Sequence, residues 1–282
     1  MNYRHGFHAG NFADVLKHAV LARMLVHLRS KPKPFRVIDT HAGRGAYDLR
    51  GEEALRTGEW RGGIGRLLDS PGDPLEPDLQ TFLAPYLEAV AAWQSRHGRA
   101  SYPGSPAIER HFLRPDDRLL AVELEERAFM KLERLFPAGD RAKALKLDGY
   151  EAWKAFIPPK ERRGLVVVDP PYEARDEFAR VAEDLAAAVK KWPSGMTLVW
   201  YPMKDRTLVA SFSTRIAGRL PPESLKVELD IGTCDDEPGL WACGLILVNP
   251  PWTLEGELKA ALPHLARRLA RGAHPKASCH RL

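Results

Sequence analysis

Short runs of apolar and β-branched residues recur along the chain at 35–38, 119–122, 144–147, 165–168, 197–201, 225–231 and 240–248. Each run is continuous rather than alternating, so each predicts a strand covered on both faces. With helical patterns between them, they predict an α/β fold built on a mostly parallel seven-stranded sheet flanked by helices. Only residues 232–239 separate the last two runs, too few for a helical crossover, so the last strand should be antiparallel to its neighbour.

The rhythm breaks once. Roughly 80 residues lie between the first run and the second, far more than one crossover needs, so an insertion is expected after the first strand. The expected division is a principal domain of 1–46 and 105–282 with an inserted helical subdomain at 47–104. Within the insertion Leu79, Phe82, Leu83, Tyr86, Leu87, Val90 and Trp93 recur at helical spacing and predict a helix over 78–96, between Pro and Gly clusters at 71–77 and 103–106.

Composition narrows the class. A chain of 282 residues with 44% hydrophobic content can bury one sizeable core. No stretch approaches the roughly 18 uncharged apolar residues of a membrane span, and the first twenty residues, with His5, His8, Asp14, Lys17 and His18, lack a signal-peptide core. A soluble, cytoplasmic protein is expected. Cys234, Cys243 and Cys279 lack metal-ligand spacing and imply neither disulfide nor metal. A net charge of +5 and a pI near 9.1 favour a polyanionic partner without establishing one. The basic segment 264–281, with Arg267, Arg268, Arg271, Lys276 and Arg281, reads as a solvated tail or as an RNA-contacting extension.

The chemistry collects at strand ends. The first strand runs into Asp39-Thr40-His41-Ala42-Gly43-Arg44-Gly45, where Gly43 and Gly45 let the backbone approach a ligand. A dinucleotide fingerprint would need Gly or Ala at 48, which is Asp, and an acid closing the next strand, whereas Glu59 follows no strand. The second strand does end in an acid, Glu123, whose carboxylate can accept both hydroxyls of a ribose. The third leads to Asp148-Gly149, placed to take the amino group of an adenine. Three such ends fit S-adenosylmethionine better than NAD.

The fourth strand ends in Asp169-Pro170-Pro171-Tyr172. Two prolines stiffen the chain and remove two donors, leaving the Asp169 carboxylate and the Pro170 carbonyl as adjacent acceptors. An exocyclic amine offers two N–H groups to such a pair, which draws its lone pair out of conjugation and aims it at a methyl donor, while Tyr172 offers a stacking face. A near-copy, Asn249-Pro250-Pro251-Trp252, follows the antiparallel last strand and so should lie at the opposite edge, closing the sheet and packing Trp252.

Asp169-Pro170-Pro171-Tyr172 with the upstream Gly loop resembles the amino-methyltransferases of nucleic acids. Tyr3-Arg4-His5-Gly6-Phe7-His8-Ala9-Gly10-Asn11, Ala13-Asp14-Val15-Leu16-Lys17-His18, Asp39-Thr40-His41-Ala42-Gly43 and Tyr102-Pro103-Gly104-Ser105-Pro106 together resemble the J-type 23S ribosomal RNA adenine-N6 methyltransferases over nearly the whole chain. The resemblance implies a Rossmann-like class I methyltransferase, monomeric and without an obligate protein partner. It implies S-adenosyl-L-methionine as cofactor, and as substrate an adenine N6 in 23S rRNA, either naked or in an assembly intermediate. By matching positions, His18, His41, Ser105, Glu123, Asp148, Gly149 and Asp169 would surround the cofactor, with Gly43 added from its place in the loop. Tyr3, His5 and Lys17 would face the substrate, with Asp169, Pro170 and Tyr172 at the reacting amine. Polar groups crowded at the start of an otherwise amphipathic helix, beside a Tyr able to stack on a base, agree with this. Two other readings stay open: a different amino acceptor, such as guanine N2, cytosine N4 or a glutamine amide, and a non-catalytic rRNA-binding assembly factor.

Overall fold

The side-chain oxygen of Asn11 accepts hydrogen bonds from the amides of Ala13 and Asp14 and so starts the first helix, satisfying donors that a helix start leaves free. The computed structural model describes residues 4–68, 73–232 and 239–282. In chain order it holds α1 (Phe12–Arg29), β1 (Arg36–Asp39), β2 (Ala46–Asp48), α2 (Glu52–Thr57), α3 (Gly65–Leu68), α4 (Pro77–His97), β3 (Ser101–Pro103) and α5 (Ser105–Phe112). There follow β4 (Arg118–Glu123), α6 (Glu126–Leu135), β5 (Ala142–Lys146), α7 (Gly149–Phe156), β6 (Gly164–Val168), α8 (Glu177–Lys191), β7 (Met196–Pro202) and α9 (Arg206–Ile216). The chain ends with β8 (Leu225–Asp230), β9 (Ala242–Val248), α10 (Leu254–Leu269) and β10 (Lys276–Arg281).

The main sheet has the order β10-β8-β9-β7-β6-β1-β4-β5. From β7 to β5 all pairings are parallel, while β9 runs antiparallel to both β7 and β8. Alternate strand residues serve two apolar layers. Val37, Leu119, Val167 and Leu245 join α1, α4, α5 and α10 in one core. Ile38, Val166, Val199 and Ile246 join α7, α8 and α9 in the other. This is why β6 and β9, buried at every position, read as unbroken apolar runs.

All seven expected strands are present, and β9 is antiparallel as the short connection required. The sheet has an eighth strand. β10 pairs antiparallel with β8, so the basic segment 264–281 is not a solvated tail. Leu262, Leu265 and Leu269 give α10 a buried face, and basic groups of the segment meet acids: Arg268 with Asp73, His264 with Glu76, and Arg281 of β10 with Glu255 of α10. The expected helix over 78–96 is α4, which shares the α1 and α10 core, while β2 and β3 form a separate two-stranded sheet at the limits of the segment 47–104.

Two expectations fail. α1 is not amphipathic, since fourteen of its eighteen residues are buried, Asp14, Lys17 and His18 among them. Trp252 does not pack, being 88% exposed; Asn249 spends its side-chain amide on the carbonyls of Pro193 and Gly195, fixing the loop and turning Trp252 outward. Cys243 and Cys279 are buried free thiols, and Cys234 lies outside the described residues. Among the described residues no helix is long and apolar enough to cross a membrane.

Candidate active site

The carboxyl ends of β1, β4, β5 and β6 border a cavity of about 640 Å³, the crevice where open α/β sheets bind ligands. His18, His41, Gly43, Ser105, Glu123, Asp148, Gly149 and Asp169 all line it, as do His5 and Lys17. Tyr3 lies outside the described residues. Pro170 is buried, and Tyr172 stands one step behind the wall that Pro171 forms. The Tyr172 ring packs 4.6 Å from Phe178, and its hydroxyl donates to the Trp200 carbonyl at 2.8 Å. Tyr172 holds φ at +51°, the left-handed turn that the two prolines lead into.

The cradle leaves no room for extra atoms. At Gly149 a Cβ would fall 2.2 Å from the Thr40 carbonyl oxygen, and at Gly43, with φ at +61°, it would fall 2.6 Å from the Tyr47 hydroxyl. Asp148 caps α7 through Oδ1, which accepts from the amides of Tyr150 and Glu151. Glu123 is mostly buried; burial raises its carboxyl, against the amides of Glu125, Gly43 and Leu124. Thr40 donates its hydroxyl proton to the Val167 carbonyl, so it can only accept from His41 Nδ1, leaving His41 Nε2 as an acceptor. His18 bonds the Tyr102 hydroxyl at 2.8 Å through Nδ1, and its buried Nε2 has no hydrogen-bond partner in the protein. Two acids, a narrow glycine floor and an orphaned imidazole nitrogen fit a polar nucleoside cofactor.

A charged chain runs from α1 to the end of β6. Asp14 accepts from the Gly10 amide at 2.8 Å and pairs with His5 at 3.0 Å and with Lys17 at 3.1 Å. Lys17 in turn bonds Asp169. Burial raises the Asp14 carboxyl, but His5 and Lys17 outweigh it and hold it well below the usual carboxylate range. The Lys17 ammonium therefore links two carboxylates inside the protein, where a shared cation makes both tolerable. Beneath them Asp39 accepts from Ser105 Oγ at 2.7 Å and from the His41 amide at 3.2 Å, and burial pushes it up to about 7. Glu109 is fully buried behind it, with burial and Asp39 holding its carboxyl well above the usual range.

Burial lowers His18 to about 3, and His41 to about 4. A histidine neutral in the fold and near 6.5 when unfolded stabilises fully above pH 6.5; that contribution is lost as pH falls toward the folded value. For His18 the loss between pH 7 and pH 5 is about 2 kcal/mol. His18→Gln keeps a group for Tyr102 but cannot titrate, so its stability deficit against wild type should be about 2 kcal/mol smaller at pH 5 than at pH 7. Urea unfolding at both pH values measures the gap; one that does not change with pH contradicts a neutral His18.

Sequence reasoning passed over several residues that line the cavity or stand behind its wall. Asp14 could have been found, because it stands three and four residues before Lys17 and His18, on one helix face. Tyr102 lay inside a quoted motif without a role. Tyr150 and Arg180 had no local signal: the Arg180 guanidinium lies 3.8 Å over the Tyr150 ring and 3.6 Å from Asp148, although the residues come from different helices. Arg4, Arg44 and Glu53 also line the cavity and tie the N-terminal segment to α2.

A mostly parallel sheet, a glycine cradle at β1, acids ending β4 and β5, and Asp-Pro-Pro-Tyr ending β6 define a Rossmann-like methyltransferase. Residues 32–278 match the family described as Ribosomal RNA large subunit methyltransferase D, RlmJ, and the chain belongs to that family. It is 38% identical to Ribosomal RNA large subunit methyltransferase J of Escherichia coli (strain K12) over 269 residues, covering 95% of this chain and 94% of that protein. Its counterpart of the same name in Haemophilus influenzae is 38% identical over 273 residues, again 95% and 94%. The crystal structure of protein LPL1258 from Legionella pneumophila superposes with a TM-score of 0.86 at 30% identity, covering 97% of this chain and 98% of that one. The protein is an rRNA methyltransferase.

Proposed function

We propose that the protein transfers a methyl group from S-adenosylmethionine to the exocyclic N6 of an adenine in 23S rRNA. It would act as a cytoplasmic monomer on rRNA that is naked or in an assembly intermediate, with 47–104 as an insertion in the catalytic domain. The observation that carries this reading is Asp169, held at the end of β6 by Lys17 and open to the same cavity as Glu123 and Asp148.

The residues divide the work by position. Glu123 is set to hold ribose hydroxyls and Asp148 an adenine amino group, with Gly43, His18, His41, Ser105 and Gly149 forming the surrounding wall. S-adenosylmethionine, when bound, supplies an electrophilic methyl group. The target base must leave its stack to reach Asp169. The Asp169 carboxylate and the Pro170 carbonyl then accept the two N–H bonds of the amine, which localises its lone pair. The released proton passes to an Asp169 oxygen and on to solvent. No strong base is required, which suits a carboxylate already shared with Lys17. His5, beside Asp14 and with its ring 5.1 Å from Tyr47, closes the substrate side, and Tyr3 is assigned there with it.

Tyr172 acts through its ring. Because its hydroxyl reaches only a backbone carbonyl, Tyr172→Phe should keep activity within about threefold, at the cost of one hydrogen bond. Tyr172→Ala should lower activity by about tenfold or more, because its ring packs on Phe178 and steadies the loop that carries Asp169 and Pro170. Steady-state kinetics on both variants separates them; equal losses would move the role to the hydroxyl.

Purified protein with radiolabelled S-adenosylmethionine and unmodified 23S rRNA, digested to nucleosides, tests the whole reading. Label in N6-methyladenosine supports it. Label in a guanine or cytosine derivative keeps Asp169 and replaces the base, and no label with retained RNA binding favours an assembly factor.

A further inference from the structure

The segments leading into the parallel strands lie at the end of the sheet opposite the cavity, and they are rich in cations. Lys31 and Lys33 precede β1, Lys160 and Arg162 precede β6, and Lys190 and Lys191 precede β7; all six are exposed. None has a carboxylate within ion-pair distance among the described residues. Trp252 continues the series, because β9 is antiparallel and its carboxyl end, with Val248 opposite Thr197, lies at the amino end of β7. Strand order makes these groups a row: Trp252 at β9, then Lys190 and Lys191 at β7, Lys160 and Arg162 at β6, and Lys31 and Lys33 at β1. With neighbouring strands about 4.8 Å apart, the row spans roughly 15 Å.

The row is held rigidly. Arg114 donates to the Lys31 carbonyl at 2.7 Å, and Arg163 to the Lys33 carbonyl at 2.9 Å, so these two arginines fix the loop that presents the lysines. Asn249 fixes the Trp252 loop in the same way. The positive charge shows in a neighbour: besides burial, Arg163 and Lys31 lower His27. At the cavity, Lys17, Arg44 and Arg180 face carboxylates, while Arg127 and Lys131 have no ion pair among the described residues.

We propose that this face is a second RNA-contacting surface, in which the cation row tracks the phosphate backbone of an rRNA strand remote from the target base and Trp252 stacks on an unpaired base. A line of cations ending in an exposed aromatic is the arrangement that binds single-stranded nucleic acid without reading its sequence. The proposal rests on rRNA being the substrate: an rRNA chain is long enough to reach both ends of the sheet, whereas a short hairpin bound at the cavity is not required to.

The test compares wild type with a Lys31→Gln/Lys33→Gln/Lys160→Gln/Arg162→Gln variant and with Trp252→Ala. Binding is measured against salt for a long 23S rRNA fragment and for a short hairpin carrying the target adenine. Each lost phosphate contact removes about 0.7–0.9 from the slope of log K against log salt, so the quadruple variant should lose roughly 2 to 4 in slope on the long RNA. Its affinity there should fall about tenfold or more, while binding and methylation of the hairpin stay at wild-type values. Trp252→Ala should weaken long-RNA binding and leave its salt slope unchanged. Wild-type affinity for the long RNA in the quadruple variant overturns the proposal and leaves the face to an acidic protein or to solvent. So does equal loss on both RNAs. Failure of the wild type itself to bind or methylate rRNA would instead overturn the substrate reading.

Discussion

Asp169→Ala should lower methyl transfer to rRNA by about 10³-fold or more, while rRNA affinity changes less than about threefold; the scale is that of losing both a positioned hydrogen-bond acceptor and a proton acceptor at the reacting atom. The fold should survive, because Asp169 sits at the end of β6 on the cavity wall and Lys17 still has Asp14 at 3.1 Å. Asp169→Asn discriminates between the two roles. Its amide oxygen can still accept from the amine but cannot take the proton, so a loss of only about 10- to 100-fold would assign most of the effect to orientation. Single-turnover rates with saturating rRNA measure the chemical step without contribution from binding. Full activity of Asp169→Ala would remove the carboxylate from the mechanism altogether.

The sheet was legible because it is buried on both faces: β6 and β9 have no solvent side to interrupt an apolar run, so they stand out from the surrounding sequence. β10 was not, since Cys279 is its one fully covered position and cations sit on either side of it. Those cations read as a tail until Glu255 and the β8 pairing accounted for them. α1 misled for the opposite reason. Its Asp14, Lys17 and His18 look like a solvated face at helical spacing, yet they neutralise one another inside the protein, and periodicity cannot distinguish water from a buried counter-ion. The cavity wall was legible at strand ends, where loop chemistry is local. Contacts such as Arg180 over Tyr150 depend on how α7 and α8 pack and leave no mark in either segment. Trp252 shows the converse: the antiparallel last strand does place the motif at the end of the sheet away from the cavity, but nothing in it tells which way the aromatic turns.

Asp14 should have a large effect on stability. It is 2% exposed and gathers the Gly10 amide, His5 and Lys17 around one carboxylate. Asp14→Asn should destabilise the fold by about 3–5 kcal/mol, the cost of removing one partner from a buried charged pair. It should also reduce activity, because Lys17 would then lack its neighbouring carboxylate on α1 and bind Asp169 more tightly, competing with the substrate amine. Lys17→Met alone should destabilise comparably, since it leaves Asp14 and Asp169 in one protein interior without the ammonium that bridges them. The double variant distinguishes a coupled pair from two separately important residues. Removing both charges leaves only Asp169, which borders the cavity, without its ammonium partner, so Asp14→Asn/Lys17→Met should be more stable than the sum of the single losses predicts, by about 1–3 kcal/mol. Urea unfolding of the four proteins closes the cycle. Additive losses would mean that Lys17 is held in place by something other than Asp14, and the link from the N-terminal segment through α1 to Asp169 would then be a matter of proximity rather than of energy.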